Sequence, residues 1–492
     1  MKKSAVAVAI IVVLGAAWSG ASWYTGKLIE QRMDSEVARI NTQLAQQLPQ
    51  SGLKVSYQDY QRGLFSSRMQ IVIQADPTHK SEGWLKPGQT LNLDETISHG
   101  PFPLTHFSLM PSMAVIHSQL ADTPLVATLF KETKGKTPLE AYSRLAYNGD
   151  SQNQITLAAL TTQQGTTKVA FAGAQIQADF GNGLNRIDLN GDVKGITLSA
   201  PNGEQSETLA LEGVTFSSHT TLGKFDINVG KQQMAAKRLS LTGNDKESVV
   251  LDDVSLHANL SEDEHTLSAK ADYALGALQI NGKAFGGGAL TLSLDRFDGK
   301  AVQAFSEQYQ RFLSQQLANG NGSDSLAYQQ QLTALMDAAL PSLLSGNPQI
   351  TIKPLSWKNS AGSSQFDLNL LLGTPQKTPA DSTLPPLLQR VRGLDFSLDI
   401  SMPMATQLAA HVAELEGYPA DQAQKLATQQ VQGVSAMGQM FKLTTQQDQS
   451  IVSKLHYADG QITLNGKQMS LAQFAGLFGL LDGIEGQAPA GQ

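Results

Sequence analysis

The sequence predicts an α+β protein: an N-terminal transmembrane helix, an elongated antiparallel β-rich body with helical insertions, and an α+β C-terminal part. Three observations carry that class. The run "SAVAVAIIVVLGAAWSGASWYTG" holds no charge from Ser4 to Gly26. From Leu53 the apolar residues alternate with period two, the spacing of half-buried strands. Helical spacing returns between Val302 and Leu344 and again after Ala405. The predicted organisation is 1–3 as a cytoplasmic N-terminus, 4–26 as the anchor, 27–50 as an amphipathic stalk and 51–300 as the antiparallel domain. Residues 301–346 follow as a helical segment, 347–484 as the C-terminal α+β domain and 485–492 as a disordered tail.

Bulk composition narrows the classes. A chain of 492 residues is too long for one ordinary core, so two or three packed units are expected. With 41% hydrophobic and 16% charged residues the chain buries ample apolar surface, which excludes global disorder. A net charge of -7 without a basic patch argues against nucleic acid, and an aromatic share of 6% argues against a base-stacking platform. Cysteine is absent, so disulfides, thiolate metal sites, cysteine nucleophiles and acylation at cysteine are excluded. That composition suits a bacterial protein exported to an oxidising space.

The first element follows from its length. At about 1.5 Å per residue, the uncharged run crosses a hydrocarbon core of roughly 30 Å, so the phospholipid bilayer is the first expected partner. Lys2 and Lys3 set the N-terminus on the cytoplasmic side, and Trp18, Trp23 and Tyr24 form an interfacial belt at the far end. Ser19 and Ala21 offer the alternative of a cleaved signal peptide, against which Trp23 and Tyr24 extend the apolar segment. Residues Lys27 to Leu48 then repeat Leu28, Met33, Val37, Ile40, Leu44 and Leu48 at helical spacing. This helix is a stalk packed on its own domain or a self-association seam.

In "LKVSYQDYQRGLFSSRMQIVIQAD" the break at Arg62-Gly63 separates two strands. Short alternating runs continue from Ile155 to Leu294, and Asn190-Gly191, Asn281-Gly282 and Asp298-Gly299 read as turns. Ile196 to Phe216 and Leu239 to Leu256 read as a loose repeat of one strand-turn-strand unit. Gly286-Gly287-Gly288 reads as a flexible connection, since no lysine or helix follows to make a phosphate loop. Two helices are expected on either side of "NGNGSDS", then a hairpin anchored by Trp357, then the surface connection "TPQKTPADSTLPP". A strand at "LDFSLDISM" leads into helices over Ala405 to Gly417 and Ala420 to Phe441. Asp459-Gly460 and Asn465-Gly466 turn hairpins, and Ser470 caps a short apolar helix.

Signals for chemistry are few. "ISHGPFPLTHF" holds His99 and His106 around Gly100, Pro101, Phe102 and Pro103, with His117 further on. The prolines prevent a shared helical face, and no H-x-x-x-H spacing occurs, so no metal site is expected. The stretch reads as a rigid bend with Phe102 and Leu104 turned into a core and His99 as a hydrogen-bonded structural residue. Asp252-Asp253 and Glu262-Asp263-Glu264 read as solvated turns. No nucleophile elbow, Rossmann or Walker fingerprint is present, so no catalytic residues and no cofactor are expected.

Taken together, "VSYQDYQRGLFSS" (with Tyr60, Arg62 and Gly63), "HGPFPL", "ITIKPLSWKNSAG", "EGYPADQAQKLATQQVQGVSAMGQMF" and "YADGQITLNGKQMSL" (with Gly460, Asn465 and Gly466) resemble the YdgA family of Gram-negative envelope proteins. The resemblance spans the chain end to end. It implies an inner-membrane protein with a periplasmic body, a homodimer, and no established activity or catalytic residues. The opening "Tyr-x-Arg-Gly-Leu-Phe-Ser-Ser" is also similar to AsmA-like envelope proteins, which implies a lipid-handling β-groove. The expected function is therefore a non-enzymatic envelope scaffold with a protein or lipid partner. A lipid-binding or lipid-transfer groove is the alternative, and an enzyme with an unfamiliar site the third reading.

Overall fold

The computed structural model describes residues 2–47, 51–77, 85–103, 105, 110–202, 205–243, 246–318, 326–373, 390–458, 460–470 and 473–474. Leu104, His106, the Pro-rich 374–386 connection and the 485–492 tail lie outside the described residues, as do most of the helix expected after Ser470 and Asp459 of the hairpin turn. Contacts group the chain into two units, one comprising Met1–Pro201, Glu212–Leu222 and Glu307–Thr333, the other the remainder.

The first unit opens on α1 (Lys2–Gln47), a single unbroken helix through Gly26, where sequence reading divides anchor from stalk. Among the described residues no helix is long and apolar enough to cross a membrane. Strands β1 (Leu53–Arg62), β2 (Ser66–Ala75), β3 (Thr90–His99) and β4 (Ala114–Leu120) follow, then the short α2 (Ala127–Glu132). After it come β5 (Leu139–Leu145), β6 (Ser151–Leu157), β7 (Leu160–Gln164), β8 (Thr167–Phe171), β9 (Ala174–Phe180) and β10 (Arg186–Asn202). Neighbours pair antiparallel from β1 to β6; β9 then inserts beside β6, and β10 pairs with both β9 and β8.

Helix α1 covers one face of this sheet. Ile29 packs with Ile97, Met113 and Ala114, flanked by Leu28, Met33, Met69 and Ile116. The Asn41 amide clasps the edge strand, donating to Val55 O at 2.8 Å and accepting from Val55 N at 2.7 Å. Tyr57 donates to Asp34 at 2.7 Å, and Arg62 pairs with Glu30 at 2.9 Å. The stalk helix thus packs on its own unit, while Ile40, read from spacing as part of the apolar stripe, is 42% exposed.

Strand β11 (Gln205–Leu222) runs through both units. The second unit continues with β12 (Asn228–Gly243), β13 (Lys246–Glu262), β14 (Thr266–Ile280) and β15 (Lys283–Asp298). Helices α3 (Gly299–Ala318) and α4 (Leu326–Leu343), of which Glu307–Thr333 groups with the first unit, precede β16 (Gln349–Asn359), β17 (Gly362–Leu372) and β18 (Val391–Ser401). Helices α5 (Met402–Leu415) and α6 (Ala420–Met440) lead to β19 (Thr445–Gln447), β20 (Ser450–Ala458), β21 (Gln461–Leu464) and β22 (Lys467–Ser470). From β12 to β18 each strand pairs antiparallel with the next, and β18 continues through β20 and β21 to β22. The sheet is open, predominantly antiparallel, with helices attached, so the β-rich α+β expectation holds at that level.

Several local expectations are corrected. Asn190-Gly191 lies mid-strand in β10, paired with Gln177 and Ile176, and not in a turn. A Cβ on Gly191 would press into the Phe216 ring, so the glycine makes room for packing. Gly286-Gly287-Gly288 is part of β15: a Cβ at Gly288 would fall 2.6 Å from the Trp357 ring, so close packing and not flexibility requires it. Asp298-Gly299 is a strand-to-helix junction, where Asp298 accepts from Ala301 N at 2.8 Å to cap α3. Asp252 and Asp253 lie within β13, Asp253 at φ 53, and not in a turn. Asn281-Gly282 does turn β14 into β15, both at positive φ.

Candidate functional site

The family-motif residues of the first unit converge on one imidazole. His99 ends β3 with 1% exposure. Its Nε2 lies 2.8 Å from Ser67 Oγ, itself 3.1 Å from Tyr60 Oη, and its Nδ1 lies 3.4 Å from Leu64 O. With Nδ1 protonated, the chain runs in one direction: Tyr60 donates to Ser67, Ser67 to His99, and His99 to Leu64 O. Burial pushes the His99 pKa below its ordinary value of 6.5 and keeps the ring neutral. A serine beside a neutral histidine has the elements of a nucleophile and base, but Ser67 is 1% exposed and no reagent reaches it. The arrangement fixes a corner.

That corner is closed by the neighbouring motifs. His99 N donates to Phe65 O at 2.8 Å, Gly100 N to Met113 O at 2.8 Å and Ser112 N to Pro101 O at 3.0 Å. Gly63 N reaches Ser66 O at 2.8 Å, where a Cβ would crowd the same oxygen at 2.7 Å. The Gly100–Pro101 peptide is cis and Pro103 is buried, whereas Phe102 is 42% exposed and does not enter the core as expected. Trp18 stacks on Phe65 at 4.8 Å, and Trp23 receives the charges of Lys27 and Arg62 at 5.7 and 5.6 Å. Tyr24 is 63% exposed; Lys2 and Lys3 lie in the first turn of α1, with side chains outside the description.

His117 does not join His99. It pairs with Thr96 in register, which puts it on the opposite face of the sheet. There it stacks on Tyr142 at 4.3 Å and contacts Glu140 Oε1 at 2.7 Å. Gln119 and Tyr142 donate to the same oxygen at 3.3 and 3.2 Å. The His117 hydrogen bond, foremost, holds the Glu140 carboxyl below its ordinary pKa. Glu140 with Asp94, Asp122, Lys136 and Phe130 lines an open pocket of about 630 Å³. Among the described residues no group of side chains is arranged to hold a metal ion.

The second unit carries the more extensive feature. Register aligns Met234, Leu256, Tyr273, Leu290, Leu355, Phe366 and Leu398 as one cross-strand row. The next row on the same face runs Leu292, Ile352, Leu368, Phe396 and Leu455; the one after, Leu294, Ile350, Leu370, Leu394 and Tyr457. The extra residue of β16 at Lys353–Pro354 is absorbed as a bulge, so the rows stay in phase. The opposite face is polar: Thr351, Asn369, Asp395, His456 and Thr463 align there, with His456 2.6 Å from Asp395. The apolar face is only half buried, with Met234, Tyr273 and Leu355 at 52%, 43% and 46% exposure. Where alanines 258, 269 and 271 meet Leu260, Leu292 and Leu294, it sinks into a hollow of about 230 Å³. Helix α5 touches β15, β17 and β18 toward one end, where Met404 meets Ser364 and His411 meets Phe285.

The remaining motif residues serve this sheet. Trp357 Nε1 donates to Phe285 O at 2.8 Å across Gly288. Gly460 (φ 77) belongs to the β20–β21 turn, while Asn465 (φ 50) and Gly466 (φ 80) turn β21 into β22. Asn465 also donates to Leu443 O at 3.1 Å and accepts from Lys454 N at 2.9 Å.

A model of bacterial proteins of unknown function, DUF945, matches residues 1–472. The chain belongs to that family. It is 41% identical over 489 residues to Protein YdgA of Escherichia coli (strain K12), covering 98% of this chain and 97% of that one. It is 27% identical over 476 residues to the uncharacterized protein YihF of the same organism, covering 95% and 97%. No solved structure matches the chain. The resemblance read from the motifs is therefore to the right family, and the corner around His99 and the Trp357 sheet are what those motifs build.

Sequence reasoning missed Ser67, Glu95 and Glu140. Glu95 projects from the face that α1 covers, aligned with Met69 and Ser118, and is 6% exposed. Ser118 donates to it at 2.6 Å, and burial pushes its carboxyl above the ordinary value. A charge inside an otherwise apolar period was the available signal.

Proposed function

We propose that this chain is a non-enzymatic envelope protein, anchored in the inner membrane through residues 4–26 with its body in the periplasm, whose second unit shelters lipid acyl chains. The observation that carries the reading is the set of adjacent apolar rows with polar rows behind them. A soluble protein rarely leaves a contiguous apolar patch beyond a few hundred Å² unless something binds there. At ~4.8 Å per strand the first row is about 29 Å long from β12 to β18 and the other two about 19 Å from β15 to β20, together about 14 Å wide, the scale of a few acyl chains of one leaflet. Each methylene moved from water onto such a strip gains about 0.8 kcal/mol. The uncharged run behind Lys2 and Lys3 supports the anchor. The contacts of Trp18 and Trp23 with Phe65 and Arg62 seat the end of that run on the body, so the part offered to the bilayer is the stretch before Trp18.

Native mass spectrometry of the full chain, extracted under mild conditions, tests the reading. Phospholipid-sized additions to the protein mass are expected. A clean apo mass overturns acyl-chain binding, and a lipid-free dimer assigns the apolar face to a second copy instead. Cell fractionation with external protease tests the anchor: a body digested only after the outer membrane is opened supports it, and a soluble chain overturns it.

A further inference from the structure

We propose that the strand turns around the exit of α1 form an apolar rim that sinks into the periplasmic leaflet of the bilayer holding that helix. This rests on the reading of the N-terminal run as an anchor and adds which surface of the first unit meets the lipid.

The first observation is where these turns lie. In an antiparallel meander alternate turns share one end of the sheet, so the β1–β2, β3–β4 and β5–β6 turns fall together. Ser151, the first residue of β6, pairs with Phe180, the last of β9, which brings the β9–β10 turn to the same end. Helix α1 runs toward that end as its numbers fall. Asn41 meets Val55, Asp34 meets Tyr57, and Trp18 meets Phe65 in the β1–β2 turn. The helix therefore leaves the body at the turns, with its uncharged residues Ser4–Ala17 beyond them.

The second observation is what the turns expose. Leu64 is 47% exposed in the first, Met110 62% in the second beside Phe102, and Tyr147 53% in the third. In the fourth, Leu184 is held at φ 62 and is 36% exposed. A leucine is strained in that left-handed region, and a turn facing only water favours glycine or asparagine there. Apolar side chains gathered at one end mark a contact surface, unlike leucines scattered singly. Behind them Lys27 and Arg62 lie over Trp23, and Arg144 donates to Pro111 O at 3.3 Å. Glu30 offsets Arg62 at 2.9 Å, and the remaining positive charge suits lipid phosphates.

The third observation is length. The fourteen residues Ser4–Ala17 span about 21 Å at ~1.5 Å per residue, some 9 Å short of a hydrocarbon core of roughly 30 Å. A short span is met by drawing its flanks into the bilayer, and interfacial side chains enter by about 5–10 Å. A rim sunk to that depth closes the gap. It also sets Trp18 and Trp23 at the interface, where such rings settle.

The chain has no native cysteine, so each position is labelled alone. Full-length Leu64→Cys, Met110→Cys and Leu125→Cys variants carry the fluorophore NBD in vesicles of phosphatidylethanolamine and phosphatidylglycerol. Leu125, 39% exposed in the β4–β5 connection at the other end of the sheet, controls for an exposed apolar site away from the rim. Quenching by doxyl-labelled phospholipid is expected to be severalfold stronger for Leu64→Cys and Met110→Cys than for Leu125→Cys. Equal quenching in all three, or none in the first two, overturns the rim. Flotation separates this outcome from the anchor. A chain that floats with the vesicles without rim quenching keeps its anchor and loses the rim, and a chain that does not float overturns both.

Discussion

Gly26 of α1 sits directly on the imidazole of His99: a Cβ added there would come within 2.6 Å of Nδ1. The neighbouring Thr25 Oγ1 is 3.5 Å from Tyr147 Oη, and Ser22, one turn earlier, is fully buried. The helix therefore docks through its small residues, and a glycine is required for approach and not for backbone freedom. Gly26→Val forces the helix off the corner. A loss of about 1–3 kcal/mol is expected, read as a lowered denaturant midpoint together with faster proteolysis after Arg32 and Arg39. An unchanged midpoint would show that α1 docking adds little to the unit.

The same corner makes stability depend on pH in a definite direction. Burial lowers the His99 pKa below 6.5, so between the two values the unfolded chain holds a proton that the folded chain does not. Stability rises with pH through that window and is lost on acidification below 6.5. Thermal unfolding between pH 5 and 8 is expected to show this slope, and His99→Gln to flatten it. Ser67→Ala leaves Tyr60 and the ring nitrogen without their shared partner, for about 1–3 kcal/mol at every pH in that range.

Glu95 works with the opposite sign. Its raised pKa means that the folded chain holds a proton longer than the unfolded one, so stability falls as pH rises from the ordinary value of 4.5 through the raised one. Glu95→Gln keeps an acceptor for Ser118 and removes the buried charge. A gain of about 1 kcal/mol is expected at pH 8, shrinking toward zero at pH 4. Equal melting temperatures for variant and parent at pH 8 would show that the carboxylate finds compensation beyond Ser118.

What was legible in the chain was local, and what was hidden depended on register. Arg62-Gly63 and Asn281-Gly282 turn because the signal lies in the residues that turn. Asn190-Gly191 carries the same dipeptide signal and is strand, because Phe216, 25 residues away, needs the space above Gly191. Gly288 sits in a strand for a similar reason, under Trp357. Each strand from β12 to β18 shows its own alternation, yet only pairing decides that Tyr273, Leu290 and Leu355 share a face. His99 and His117 look like neighbours in sequence, and one residue of parity sends them to opposite sides of the sheet.

Leu355 offers the sharpest test of the apolar face. It lies mid-row between Leu290 and Phe366, and at 46% exposure a carboxylate there still reaches water in the empty protein. Leu355→Asp should therefore fold, with a melting temperature within a few degrees of the parent. Under a bound acyl chain the same carboxylate is desolvated without a partner, which costs more than the chain gains from the neighbouring leucines. A drop of about tenfold in captured phospholipid, equal to about 1.4 kcal/mol, is expected by quantitative lipid extraction from the purified full chain. Lys454→Asp, on the polar face of the same sheet, changes the charge there and should leave lipid capture unaltered. Equal losses for both variants would trace binding to surface charge, and no loss for Leu355→Asp would remove the apolar rows from the site.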